Sequence, residues 1–250
     1  MTLPVEQPVI TVDGVPVEMI RTPGGILVPA DLDLDGCEVG WLNTSMGAAS
    51  FTDITGNGND IANTGGARLL SAPGQTHMWR SDSIKTIVAP PELLLVDAVT
   101  VYLGLMLMTS GGFTMLGVYE TDVNTDSLFA FGLSGDGLAV WVKTRSTANR
   151  LVYTPSGGGA YVAPYTPAIG TLVKQADQSI LVYWQGEYVG SILGSSTGTP
   201  SVLGSEVLAL GGNSAGKFSG PGLIYSEAHT PARVKRTVQA LSKGLHYDFG

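Results

Sequence analysis

The sequence predicts an all-β chain: two facing antiparallel sheets with one short helix near the C-terminal end. Three observations carry that expectation. Short apolar runs recur from about residue 37 onward, each closed by a Gly- or Asp-containing break, which is the spacing of a sandwich. Glycine contributes 34 of 250 residues, about twice its usual share of roughly 7%, and supplies the positive φ angles that many tight turns require. Charged residues make up 14% and apolar residues 44% of the chain, so material for a large core is at hand.

The elements follow in order. Residues 1–36 read as an extended N-terminal arm, punctuated by Pro4, Pro8, Pro16, Pro23 and Pro29. Within it, Val9-Ile-Thr-Val, Asp13-Gly14 and Val15-Pro-Val form a small hairpin pattern, because Asp-Gly suits a type I′ turn. Proline in both flanks confines that hairpin to an edge, lying on its own domain or on a neighbour. Residues 37–250 read as the main domain. Its runs at 99–108, 113–119, 128–133, 138–143, 171–174, 180–184, 187–193, 207–210 and 223–228 are strand-like, and no longer repeat suggests a propeller or solenoid. Only one segment has helical spacing. Thr230 is placed as N-cap and Pro231 as first helical residue, Val234, Val238, Leu241 and Leu245 form one apolar face, and Gly244 marks a stop. Arg233, Lys235, Arg236 and Lys243 then fall on the solvated face.

The net charge of −8 repels phosphate backbones, so nucleic acid is not an expected partner. The most apolar run, 99–108, is interrupted by Gly104 and too short for a helical span, so no membrane partner is expected. The first residues carry neither a basic nor an apolar leader pattern, and Cys37 is alone, which leaves no intrachain disulfide.

Three stretches share an order with a known family. Trp41-Leu42 precedes Asp53-Ile-Thr-Gly-Asn-Gly-Asn59; Leu181-Val-Tyr-Trp-Gln-Gly-Glu-Tyr-Val-Gly190 has two strands around a tight turn; Leu208-Ala-Leu-Gly-Gly-Asn213 and Gly222-Leu-Ile-Tyr-Ser-Glu-Ala-His-Thr-Pro231 lead into the helix. In this order the chain, from 37 to about 248, resembles the laminin G-like, concanavalin A-like lectin domains of the phage virion-protein type. Gln185 stands where the family turn carries an acid or amide partner of glycine. The resemblance implies a two-sheet jelly roll and leaves residues 1–36 as an attachment segment. It does not by itself fix function, since lectins, glycosidases and virion parts share this fold.

Catalytic patterns are weak. A glucanase-type strand places alternate acids on one face, but Glu120-Thr-Asp122-Val-Asn-Thr125 has threonine in the last place and Asp126 one residue late. Gly194-Ser-Ser196-Thr-Gly198 is followed by Thr199-Pro200 instead of the helix a nucleophile elbow needs. None of His77, His229 and His246 lies in an HExxH motif. Calcium has a ligand pattern in Asp31-Leu-Asp33-Leu-Asp35-Gly36, three hard oxygen donors before a sharp turn, although the twelfth position is Leu42. The competing reading, preferred here, is an exposed edge strand with aspartates outward and Leu32 and Leu34 inward. Asp122, Asn124 and Asp126 make a weaker set, and Asp53, Asn57, Asn59 and Asp60 are explained by turn formation. Sugar-binding aromatics are available in Trp79, Tyr119, Tyr153, Tyr161, Tyr165 and Trp184. Tyr161 and Tyr165, beside the glycine-rich loop at 156–159, are the candidates for carbohydrate contact, while Trp41, Trp141 and Trp184 are expected in the core.

The resulting expectation is a non-enzymatic virion structural, decoration or tail-fibre protein of a bacteriophage. Its partners would be other virion proteins and further copies of itself, with surface glycans of the host as ligands. A carbohydrate-binding module for host recognition is the first alternative and a glycan-cleaving enzyme the second.

Overall fold

The computed structural model describes residues 9–12, 15–42, 50–62, 68–70, 78–80, 85–94, 96–107, 113–120, 127–134, 137–143, 148–153, 168–192, 204–212 and 217–244. In chain order the strands are β1 (Val9–Val12), β2 (Val15–Arg21), β3 (Leu27–Pro29), β4 (Cys37–Trp41), β5 (Ser50–Phe51), β6 (Ile61–Ala62), β7 (Arg68–Leu70), β8 (Met78–Arg80) and β9 (Lys85–Val88). The single-turn helix α1 (Pro91–Leu94) follows, then β10 (Val99–Leu107), β11 (Phe113–Tyr119), β12 (Phe129–Ser134), β13 (Gly137–Lys143) and β14 (Ala148–Tyr153). The chain closes with β15 (Ala168–Lys174), β16 (Ile180–Trp184), β17 (Glu187–Ile192), β18 (Val207–Gly212), β19 (Lys217–Tyr225) and the helix α2 (Pro231–Gly244).

Two antiparallel sheets face each other, as the sequence predicts. One has eight strands in the order β17-β16-β15-β10-β19-β8-β7, with β4 also pairing β19; the other has six, in the order β14-β13-β12-β11-β18-β9. Side-chain alternation explains the packing. Val101, Leu103 and Leu105 of β10 meet Leu116, Val118, Phe129, Phe131, Leu208 and Leu210 of the opposite sheet in one core. Between them, Tyr102 points the other way, into a second core with Ile169, Val173, Tyr183, Tyr225 and the Val234, Val238 and Leu241 face of α2. Strands β10 and β15 are therefore covered on both sides, which is why they read as unbroken apolar runs instead of alternating ones.

The helix begins where its sequence signals lie. The Arg233 amide donates to Thr230 Oγ1 at 3.3 Å and the Val234 amide to the Thr230 carbonyl at 2.9 Å, the capping that threonine provides. Leu245 lies outside the described residues. Helix α1 is an addition to the expected single helix. It is one turn, marked in sequence only by Pro90-Pro91, with Leu93 buried.

The N-terminal hairpin forms with Val9 opposite Glu18 and Val12 opposite Val15, its Asp13-Gly14 tip lying outside the described residues. Strand β3 extends it to a three-stranded sheet, and Val28 and Leu32 join the second core against α2. Of the two placements open to the arm, this part lies on its own domain. Residues 31–36 are not the edge strand expected of them. Leu32 is buried and the three aspartates exposed, so the alternation holds. The backbone nonetheless curls through turns, with the Asp35 amide donating to Asp33 Oδ1 and Gly36 at φ 72°, as short acidic side chains and glycine favour.

Asp53 organises the segment after β4. Its Oδ1 accepts from the Gly40 and Thr55 amides, both at 3.1 Å, and its Oδ2 from Thr55 Oγ1 at 2.8 Å and the Asn59 amide at 3.1 Å. Asn57 and Asn59 each donate a side-chain amide to the Glu38 carbonyl. The turn role read from the sequence accounts for these residues. Gly132 shows a different constraint. It lies opposite Met115 in the β11–β12 ladder, where a Cβ would sit 1.9 Å from the Thr114 carbonyl oxygen.

Two stability outcomes follow. Asp53→Ala strands three buried or half-buried amides, of Gly40, Thr55 and Asn59, and is expected to cost about 3 kcal/mol in denaturant unfolding, with Asp53→Asn milder because one oxygen keeps its place. Gly132→Ala forces strands apart and should cost about 2 kcal/mol or more. Gly58→Ala, with nothing within 4 Å of the added carbon and φ 82°, should cost only about 1 kcal/mol of backbone strain.

Candidate functional site

The β16–β17 hairpin projects from the edge of the eight-stranded sheet. Gln185 at φ 54° and Gly186 at φ 80° make the two-residue turn that matches strand twist. Glutamine substitutes for the family's acid or amide by a longer route. Its Oε1 accepts the Ile169 amide and its own amide donates to the Ile169 carbonyl, both at 2.9 Å, so the turn is tied to the start of β15. Helix α2 backs the tip, since a Cβ on Gly186 would lie 3.3 Å from Lys235 Cα and 3.6 Å from Val238 Cβ.

Tyr188 stands on this hairpin at 57% exposure, and among residues whose side chains are described it is the one exposed aromatic. Its ring is held edge-on by Tyr183, with centroids 5.7 Å apart at 72°. Burial pushes the Tyr183 phenol up from its ordinary range. At Glu187, which precedes Tyr188 on the same strand, Lys235 Nζ meets Oε1 at 2.6 Å, both side chains being more than half exposed. An exposed aromatic ring can stack on the C–H face of a sugar ring, and accessible charged side chains of the same hairpin and helix can hydrogen-bond sugar hydroxyls.

Tyr161 and Tyr165 lie outside the described residues, as do the side chains of Trp79, Trp141 and Tyr153. Trp41 is fully buried and Tyr119 buried, whereas Trp184 is half-buried and packs at the margin of the inter-sheet core. Tyr188 was not singled out from the sequence. Counting outward from the Gln185-Gly186 turn marks it as opposite Tyr183, but exposure at a sheet edge depends on strand order, which local sequence does not encode.

Asp31, Asp33 and Asp35 do not converge into a calcium loop. Among the described residues no group of three or more His, Cys, Asp or Glu side chains comes together to hold a metal ion. A guanidinium lies against part of this segment. Arg233 lies 3.1 Å from Asp33 Oδ2, donates to the Asp35 carbonyl at 2.7 Å and pairs with Glu227. Arg233 is thus shielded at 18% side-chain exposure and not on the open helix side, while Lys235 and Arg236 remain exposed. Of the acids weighed for glycan cleavage, Glu120 accepts from Ser205 Oγ at 2.9 Å, and Asp122 and Asp126 lie outside the described residues, as does the 194–198 serine motif.

His229 is buried at the junction of β19 and α2. Its Nδ1 makes a 2.7 Å hydrogen bond with the Tyr102 hydroxyl and its amide donates to Thr100 Oγ1 at 2.9 Å. Burial, aided by the charge of Arg233, lowers its pKa to about 4.

No protein-family model matches the chain, and no curated protein matches it in sequence. Solved structures do match in fold. The binding domain of Paraclostridial Mosquitocidal Protein 1 superposes with a TM-score of 0.65 at 11% identity, covering 82% of this chain and 52% of that one. The receptor-binding domain of botulinum neurotoxin C/D mosaic serotype gives 0.64 at 9% identity, with 83% and 52% covered. The ligand-binding domain of botulinum neurotoxin serotype D, solved in complex with N-acetylneuraminic acid, gives 0.64 at 9% identity, with 82% and 51% covered. The chain spans about half the length of these structures and shares with them an all-β sandwich fold.

Proposed function

We propose that the chain is a non-enzymatic recognition module that binds surface glycans, carried on a bacteriophage particle and attached through its N-terminal segment. The observation that carries the glycan reading is the exposed Tyr188, packed edge-on against Tyr183 on the edge strand β17. Its support in fold comes from sandwiches whose solved forms are named as binding domains, one of them holding N-acetylneuraminic acid. The particle setting rests on the resemblance of the 37–248 motifs to phage virion lectin-type domains. Attachment falls to the outer edge of β1, which pairs with no other strand among the described residues, because an unpaired edge accepts a neighbour's strand.

A glycan array with the whole chain tests the first part. Binding to at least one saccharide is expected, and Tyr188→Ala should weaken it about 10-fold or more, the equivalent of roughly 1.4 kcal/mol of lost stacking. Silence across the array and in cell adsorption sinks the glycan reading. Wild-type binding with Tyr188→Ala unchanged moves the site elsewhere. Attachment is tested by removing residues 1–14, which spares the buried Val28 and Leu32. Particles should then lack the protein while the domain stays folded, and undiminished incorporation would refute attachment through this edge.

A further inference from the structure

We infer that His229 is the acid-sensitive pin of a clasp that fastens the N-terminal segment and α2 to the outer face of the eight-stranded sheet. Three parts of the chain meet there. Arg233 of α2 bridges Asp33 and the Asp35 carbonyl of the N-terminal segment to Glu227 after β19. The Tyr225 hydroxyl donates to the Asp33 carbonyl at 2.8 Å, and the Arg233 guanidinium lies over the Tyr225 ring at 5.5 Å. His229 sits in the middle, 3% exposed, with ring centroids 4.3 Å from Tyr225 and 5.7 Å from Tyr102.

The site is built for a neutral ring. His229 Nδ1 meets the Tyr102 hydroxyl, whereas Nε2 is buried without a hydrogen-bond partner. The nearest carboxylate, Glu227 Oε1, is 3.7 Å from Nε2 and is already paired with Arg233. Asp33, which also favours a charged ring, is bound to the same guanidinium. The remaining titratable groups around it, Tyr102, Tyr225 and Cys37, have their ionisation pushed up by burial and offer no counter-charge. A proton on His229 would therefore place an imidazolium beside Arg233 in a nearly dry pocket, and opening the clasp relieves it.

The sign follows from linkage. The ring binds its proton near pH 4 when closed and near its ordinary value of about 6.5 when open. Closure is fully favoured above about pH 6.5 and weakens as pH falls toward 4. At pH 5 the opening equilibrium should be about 30-fold greater than at pH 8.

Cys37 gives a built-in reporter. It is 6% exposed, packs in the second core with Val234 and Tyr225, and is the chain's single cysteine. Its labelling by 4,4′-dithiodipyridine in the whole chain, divided by that of a small thiol at the same pH, should rise about 30-fold between pH 8 and 5. The His229→Gln variant, able to accept the Tyr102 hydroxyl without taking a proton, should label at a rate independent of pH in that window. A flat wild-type profile, or a variant profile that climbs like the wild type, overturns the inference. If the variant does not fold, nuclear magnetic resonance titration of the wild-type imidazole decides: a midpoint near 4 supports the clasp, and one near 6.5 overturns it.

Discussion

Everything outside the inter-sheet core depends on one constraint: β10 and β15 expose apolar side chains on both faces. A sheet buried on one side only can present polar residues to water on the other. Here Tyr102, Ile169, Val173, Leu223 and Tyr225 line the outer face, so something must cover it. Helix α2 supplies cover together with Val28 and Leu32 of the N-terminal segment and Leu42 and Ile54 after β4. The third layer is thus a requirement of the sheet's composition, and the N-terminal segment from about residue 26 onward cannot leave without exposing the core.

Covering a sheet with a capped helix brings polar termini and strand ends into an apolar setting, and each needs a partner. Thr100 answers beside the start of α2, donating to the Glu227 carbonyl at 2.7 Å while accepting the His229 amide. Arg233 and Tyr225 answer next to it, taking up carbonyls at Asp35 and Asp33. The same demand brings the acidic run at 31–35 a guanidinium anchored on α2, which meets the Asp33 carboxylate and the Asp35 carbonyl while resting over the Tyr225 ring.

The sequence made the layers legible more readily than the contacts between them. Strand runs and the Thr230-Pro231 helix start are local signals, written in spacing and capping chemistry, and they match β10 to β13, β16 to β18 and α2 closely, whereas β14 at Ala148–Tyr153 is not among the runs and β19 spans Lys217–Tyr225 instead of 223–228. The Gln185-Gly186 turn was legible for the same reason. Arg233 was not, because its helical position points to solvent unless one knows that residues 31–36 curl over it. Tyr188 was missed for a related cause: a tyrosine two residues past a tight turn looks like any alternating strand residue until strand order makes β17 an edge. The acidic run misled in its conformation but not in its alternation, since Leu32 turns inward whether the backbone is extended or curled.

The proposed recognition edge and the proposed clasp are joined by one element. Helix α2 carries Arg233 near its start and, half a turn later, Lys235, which pairs with Glu187 beside Tyr188. Val238, one turn further on, packs in the second core while facing Gly186 at the hairpin tip. Rigid elements that contact two sites transmit a bias only when they have two arrangements, and the His229 pocket provides a reason for two. If protonation lifts the start of α2, the backing of the Gln185-Gly186 turn goes with it, and Tyr188 loses the support that fixes its ring. Ligand affinity at the edge would then fall with the same acid dependence as closure of the clasp, because both are set by how firmly one helix lies on one sheet.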